Sequence, residues 1–220
     1  MSPLSIARSE FILGGQKSGK SRRAELLAQG WLAQSTAHRA VLIATAQPWD
    51  DEMRDRIARH QGDRAARVPG MATVEEPLDL AAALRQHSTP QTLVVVDCLT
   101  LWLTHWTMPA GMDECGSASV STSSFVPAPA SVTSEEYKPN VPPAHDWPAQ
   151  AAHFLIAIEQ APGPVVLVGN EIGLGVIPLG REVRAFVDAL GLLNQQVAQT
   201  CQRATLMAAG LPLFLKGSPP

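Results

Sequence analysis

Apolar and polar positions along the chain fall into two kinds of block. Four short runs are apolar at nearly every position: Phe11-Ile12-Leu13, Val41-Leu42-Ile43-Ala44, Leu93-Val94-Val95-Val96 and Val165-Val166-Leu167-Val168. A run with no polar face and many β-branched residues predicts a strand covered on both sides. Between these runs, apolar residues recur at helical spacing. One such stretch begins at Lys20 and carries Ala24, Leu26, Leu27 and Trp31. A second starts near Asp50, where Asp50 or Asp51 can cap free backbone N–H groups. Its Met53, Ile57 and His60 are spaced to share one face. Pro77 to Leu84 predicts another short helix. Arg181 to Gln202 predicts a long one, through Val183, Phe186, Val187, Leu190, Leu193 and Val197, with Pro178 in the loop before it. Ala204 to Leu215 is apolar and predicts a final strand. Apolar strands alternating with helices predict an α/β fold: a mostly parallel sheet with helices on both faces.

The stretch from about 107 to 150 breaks this pattern. It is rich in Ser, Pro and Ala, as in Ser117 to Ser124 and Pro142-Pro143. Such a composition buries little apolar surface and does not offset the entropy of ordering. It predicts a flexible insertion within a single nucleotide-binding domain spanning 1–220. A length of 220 residues suits one such domain. The net charge of −3, with no basic stripe, argues against nucleic acid as a partner. No apolar run approaches the ~20 residues needed to span a bilayer, and Met1 to Glu10 has no apolar leader. Cys98, Cys115 and Cys201 are scattered, form no disulfide framework and lack zinc-ligand spacing. A cytoplasmic protein with reduced thiols is expected.

Chemistry enters where the first strand ends. Gly14-Gly15-Gln16-Lys17-Ser18-Gly19-Lys20-Ser21 matches G-x-x-x-x-G-K-[ST] in full, between a predicted strand and a predicted helix. Glycines let backbone N–H groups turn inward around phosphate oxygens, and the following helix offers its positive end to the same anion. Lys20 supplies a charge for the β- and γ-phosphates, and the Ser21 hydroxyl can ligate Mg²⁺. Asp97 ends the Val94-Val95-Val96 run, where ligands gather in parallel sheets, and can help hold the same ion. A strand-terminal Asp can equally cap the next helix. Glu171 follows the fourth strand among Gly169, Gly173 and Gly175 and is a further candidate, or else a solvated loop residue.

His60 has two readings. On an apolar helix face it can be an ordinary core histidine. Arg56 four residues before it and Arg64 four residues after it suggest otherwise. Two guanidiniums would keep the imidazole neutral and nucleophilic, and would hold phosphate oxygens around an attacked phosphorus.

Five segments, taken in order, carry a resemblance: the loop Gly14 to Ser21; Ala44-Thr45-Ala46 with Asp51-Glu52-Met53; Arg56-Ile57-Ala58-Arg59-His60 through Arg64; Val96-Asp97-Cys98-Leu99-Thr100-Leu101-Trp102; and Asn170-Glu171-Ile172-Gly173-Leu174-Gly175-Val176-Ile177-Pro178. The sequence resembles the bifunctional adenosylcobinamide kinase/adenosylcobinamide-phosphate guanylyltransferase family of cobalamin biosynthesis. The likeness spans nearly the whole chain apart from the Ser/Pro-rich stretch. It implies a RecA-like P-loop NTPase fold and a homotrimer. It also implies two reactions: phosphorylation of adenosylcobinamide with ATP or GTP, then transfer of GMP from GTP onto adenosylcobinamide phosphate through a guanylylated histidine. His60 falls at the position of that histidine. Ala44, Thr45, Ala46, Gln61, Gly62, Asp63, Arg64, Glu75 and Asp97 fall at positions that line the guanine nucleotide site. Two departures stand out: the insertion is longer than the family pattern, and Leu192 stands where an Arg is expected before Asn194-Gln195. The residues alone also allow a P-loop kinase of another small metabolite, or a regulatory RecA-type NTPase.

Overall fold

The computed structural model describes residues 5–47, 51–108 and 146–218. Seven strands form one sheet: β1 (Ser9–Gly14), β2 (Arg39–Ala44), β3 (Met71–Glu75), β4 (Thr92–Asp97), β5 (Val165–Val168), β6 (Arg203–Ala208) and β7 (Leu211–Lys216). Their order is β3-β2-β4-β5-β1-β6-β7. β1 to β6 pair in parallel, and β7 pairs antiparallel to β6. This is the predicted mostly parallel α/β sheet of a P-loop NTPase. The helices are α1 (Lys20–Gln34), α2 (Asp51–Arg67), α3 (Leu80–His87), α4 (Leu99–Thr107), α5 (Trp147–Gln160) and α6 (Arg181–Thr200).

Both faces of the sheet are covered, which is why its central strands are apolar at every position. Successive residues of β1 point to opposite sides. Phe11 and Leu13 join Ile43, Val94, Val96, Val165 and Leu167 on one face, packed against α3, α4, α5 and α6 through Leu84, Trp102, Phe154 and Leu193. Ile12 joins Leu42, Val95, Val166 and Val168 on the other, packed against Ala24, Leu27 and Ala28 of α1 and against Val68 just beyond α2. Both clusters are closed to solvent: Phe11, Trp102 and Phe154 in the first and Ile12 and Leu27 in the second are among the largest fully buried side chains.

Three expectations need correction. The apolar stretch 204–215 forms two strands. Ala209 (φ 51) and Gly210 (φ 80) both take the left-handed backbone that a tight hairpin turn requires, so the chain reverses there. The helix expected from Pro77 begins at Leu80, because Asp79 accepts from the Ala82 amide at 2.9 Å and caps it. The block read as an insertion is narrower at both edges: Thr107 closes α4, and Trp147 to Gln150 form the first turn of α5, which tolerates Pro148 there. Residues 109–145 lie outside the described residues, as does the capping role given to Asp50. The edge strand β3 had no distinct signal, being half-exposed and only five residues long.

Candidate active site

Strand register lines up the predicted residues before any side chain is considered. One row across the sheet reads Glu75, Ala44, Asp97, Val168, Ile12, Thr205. Glu75, Ala44 and Asp97 therefore end three neighbouring strands at one level, and the phosphate loop leaves β1 two residues beyond Ile12. β5 lies between β1 and β4, so loop and carboxylate face each other across its end.

The loop is held by short contacts. The Ser18 amide donates to the Gly15 carbonyl (3.3 Å), and the Gly210 amide of the β6–β7 turn donates to the Ser18 carbonyl (3.0 Å). Two of its glycines are sterically required. A Cβ on Gly14 would stand 2.4 Å from the Met207 carbonyl oxygen, at φ +151. Gly19, at φ +102, opens α1 with its Cβ position 3.3 Å from Gly210 Cα. A Cβ on Gly15 would meet nothing within 4 Å. Gly15, Gln16 and Lys17 are exposed, whereas Ser18 and Lys20 are buried.

Lys20 Nζ donates to the Gly15 carbonyl at 2.7 Å, spanning the concave side of the loop. Burial lowers its pKa, and the nearby Asp97 and Cys98 oppose that shift. Ser21 Oγ donates to Asp97 Oδ2 at 2.9 Å. The two residues named for Mg²⁺ are thus in contact, and both offer oxygen. Among the described residues no group of three or more His, Cys, Asp or Glu converges. Two protein oxygens fit Mg²⁺, which keeps waters and takes substrate phosphates for its other ligands. They would not make a closed zinc or calcium cage.

Thr45 is fully buried. Its hydroxyl donates to the Cys98 carbonyl (2.8 Å) and accepts from the Cys98 amide (2.9 Å). Its own carbonyl meets His105 Nε2 of α4 at 2.7 Å. Thr45 therefore ties the end of β2 to the end of β4. Within the predicted segment 44–46, Ala44 and Ala46 are the partly exposed members. Burial lowers the His105 pKa, opposed by its Thr45 bond. Burial also pushes the Cys98 thiol up to about 11, with Asp97 adding to the shift.

Helix α2 carries the remaining predicted residues. Gln61, Gly62 and Asp63 are exposed, and Arg64 is half-buried. Arg64 donates to Thr73 Oγ1 of β3 (3.2 Å) and lines a small cavity with Ser21, Glu25 and Asp97 over a floor of Leu42 and Val95. Burial lowers the Arg64 pKa, and the Asp97 and Glu25 carboxylates oppose it. The backbone of His60 lies one turn before Arg64. The side chains of Met53, Arg56 and His60, and so the shared face expected for Met53, Ile57 and His60, lie outside the described residues. Glu75 is exposed at the end of β3. Glu171 sits beside the loop: its amide donates to the Gly14 carbonyl (3.1 Å), and its carboxylate accepts from the Gly173 amide (2.9 Å).

Two groups near the site escaped the sequence reading. Glu25 lines the cavity one turn after Ser21; a carboxylate amid the buried Ala24, Leu27 and Ala28 was the available signal. Glu10, on β1, is buried with Arg23 Nε at 2.8 Å, Arg203 at 3.1 Å and Thr205 Oγ1 at 2.9 Å. This network stiffens the strand and helix on either side of the loop, and a charge so buried is tolerated only when paired.

Residues 10–215 match the family model for cobinamide kinase / cobinamide phosphate guanyltransferase. The chain is 41% identical over 211 residues to the bifunctional adenosylcobalamin biosynthesis protein CobP of Pseudomonas aeruginosa, covering 96% of this chain and 98% of that protein. It is 30% identical over 206 residues to the bifunctional adenosylcobalamin biosynthesis protein CobU of Escherichia coli, covering 94% and 98%. The protein of that same name from Salmonella typhimurium is 27% identical over 213 residues, again covering 94% and 98%. The chain belongs to the cobinamide kinase / cobinamide phosphate guanyltransferase family.

Proposed function

We propose that this member of the family phosphorylates adenosylcobinamide with ATP or GTP and then transfers GMP from GTP onto the product, giving adenosylcobinamide-GDP. The observation that carries this reading is the 2.9 Å contact between Ser21 and Asp97 at the mouth of a complete phosphate loop, in a chain matched to the family from residue 10 to 215. A phosphate loop alone would suit many NTPases. Joined to a strand-end carboxylate within this family, it supports nucleotide-dependent transfer to a corrinoid.

In the kinase step the amides of Gly15 to Lys20 and the Lys20 ammonium hold the β- and γ-phosphates. The substrate hydroxyl attacks the γ-phosphorus, and the nucleoside diphosphate leaves. Ser21 and Asp97 would hold Mg²⁺, which when bound offsets phosphate charge. In the transfer step a ring nitrogen of neutral His60 attacks the α-phosphorus of GTP. A phosphorus–nitrogen bond forms, the α–β phosphoanhydride breaks, and pyrophosphate leaves with its charge offset by Lys20. A phosphate oxygen of adenosylcobinamide phosphate then attacks the same phosphorus and releases His60. Ala44, Thr45, Ala46, Gln61, Gly62, Asp63, Arg64 and Glu75 line the guanine nucleotide in this reading, with the Thr45 hydroxyl holding the end of β2 against β4. A cytoplasmic homotrimer completes the proposal. Among the described residues no helix is long and apolar enough to cross a membrane.

The test is to incubate the protein with adenosylcobinamide and GTP and weigh the products. Adenosylcobinamide-GDP and pyrophosphate are expected. A phosphorylated acceptor other than cobinamide, with no nucleotide transfer, would favour a kinase of another small metabolite.

A further inference from the structure

Glu25 is the one carboxylate of the cavity that the proposed mechanism leaves without a task. Its burial demands partners, because an unpaired carboxylate in such surroundings is costly. Arg67 NH1, from the last turn of α2, donates to Glu25 Oε2 at 3.1 Å. Arg22 approaches the same oxygen less closely, at 3.7 Å, from a half-exposed position. The second terminal nitrogen of Arg67 is held by Asp63 at 2.9 Å, one turn earlier on α2. Asp63 thus fixes the fork, and the fork is presented to Glu25. The hydrogen bond to Glu25 is also the foremost cause of a raised Arg67 pKa.

This contact matters because of how α2 is attached. Among the described residues, side-chain hydrogen bonds from α2 to other elements occur only in its last turns: Arg64 to Thr73 and Arg67 to Glu25. Val68, buried just after the helix, adds an apolar anchor. From Asp51 to Arg59 the described side chains are exposed or half-exposed. Among the described residues, the anchors of α2 thus lie at its C-terminal end. The His60 backbone stands seven residues before Arg67, a lever of about 10 Å at 1.5 Å per residue. A tilt of roughly 6° at the anchor would move His60 by about 1 Å, and a displacement of that size can cost on the order of 10²-fold in rate.

We propose that Glu25 is a positioning residue for guanylyl transfer: through Arg67 it fixes the C-terminal end of α2 against α1, and so sets where His60 stands relative to the phosphate loop. The inference rests on the reading of His60 as nucleophile. In this inference Glu25 acts through Arg67, and direct γ-phosphoryl transfer makes no use of the His60 adduct.

The experiment compares Glu25→Gln, Arg67→Gln and the double variant with wild type. Two rates are measured on the full-length protein: single-turnover labelling by α-labelled GTP, and γ-phosphoryl transfer from ATP to adenosylcobinamide. Labelling should fall roughly 10- to 100-fold in each single variant and no further in the double variant, since both break one link. The kinase rate should stay within about threefold. A merely structural role would lower both rates together. That result, unchanged labelling, or independent losses that multiply in the double variant would overturn the inference. If Glu25→Gln fails to fold, Arg67→Gln alone decides by the same two rates, its side chain being partly exposed. Absence of label on wild type, or label surviving in His60→Ala, would bring down the underlying reading and this inference with it. Label on wild type with parallel losses would overturn the inference alone.

Discussion

Ser21 and Asp97 stand 76 positions apart in the chain and meet across 2.9 Å. The serine closes the phosphate loop at the start of α1. The aspartate ends β4, two strands from β1 in the sheet. The contact bridges the end of β5 and closes one side of the cavity that Arg64 enters. Asp97→Asn keeps the shape and removes the charge. The expected result is a fall in kinase rate on the order of 10²-fold, the scale of losing one charge-stabilising group. Steady-state kinetics at several Mg²⁺ concentrations check it, with the half-saturating Mg²⁺ concentration rising as well.

Lys20→Ala removes the buried ammonium that spans the loop. Triphosphate binding or turnover should be lost while the far-ultraviolet circular dichroism stays that of wild type. Calorimetric titration with a nucleotide checks the first, and a kinase rate equal to wild type would sink the phosphate-loop assignment.

His60→Ala should lose the protein-bound label from α-labelled GTP and retain much of the kinase rate, because γ-phosphoryl transfer needs no histidine adduct. The wild-type label should survive base and be released by acid, as a phosphorus–nitrogen bond to histidine is. Counting label on denatured protein after each treatment decides it.

Gly14→Ala places a Cβ 2.4 Å from the Met207 carbonyl oxygen at a backbone angle that side chains rarely adopt. Neither the strand nor the β6 carbonyl can give way cheaply. A loss of about 1–3 kcal/mol in unfolding free energy is expected, read from the urea midpoint. Gly15→Ala, with open space at its Cβ, should leave that midpoint nearly unchanged.

Burial raises the Cys98 thiol to about 11 and the Cys201 thiol to about 12. Both should therefore be neutral at pH 8, and alkylation there should run roughly 10²-fold slower for Cys98 and roughly 10³-fold slower for Cys201 than for an unperturbed thiol. The sign for stability follows. Above the ordinary thiol value of 9.0 the unfolded chain releases protons that the folded one retains. Stability should thus fall as pH rises from about 9 towards 11. Mass spectrometry of alkylated peptides and urea titrations at pH 8 and 10 measure the two effects.

What the sequence determined by itself was local. Four runs without a polar face can only be strands covered on both sides, so the central strands and the parallel α/β class were readable. The phosphate loop was readable because its residue types answer to backbone angles and phosphate charge within eight positions. Asp97 was readable as a strand-end carboxylate sharing an ion with Ser21, though their direct 2.9 Å contact was not. Strand order, with β5 between β1 and β4, belongs to the tertiary structure, since crossover connections do not encode which edge a strand joins. β3 stayed hidden because a short, half-exposed edge strand needs little apolar patterning. The last apolar stretch split in two because a turn of Ala209 and Gly210 follows from backbone angles rather than hydrophobicity. The hydroxyl of Thr45, in a segment that the resemblance assigns to the nucleotide site, is buried against Cys98, a contact that the packing of β2 on β4 sets. Glu25 read as one more helix charge until α2 was laid beside α1 and brought Arg67 to it. Strand order, the Thr45–Cys98 contact and the Glu25–Arg67 pair depend on distances between residues far apart in the chain, and only the packed fold sets such distances.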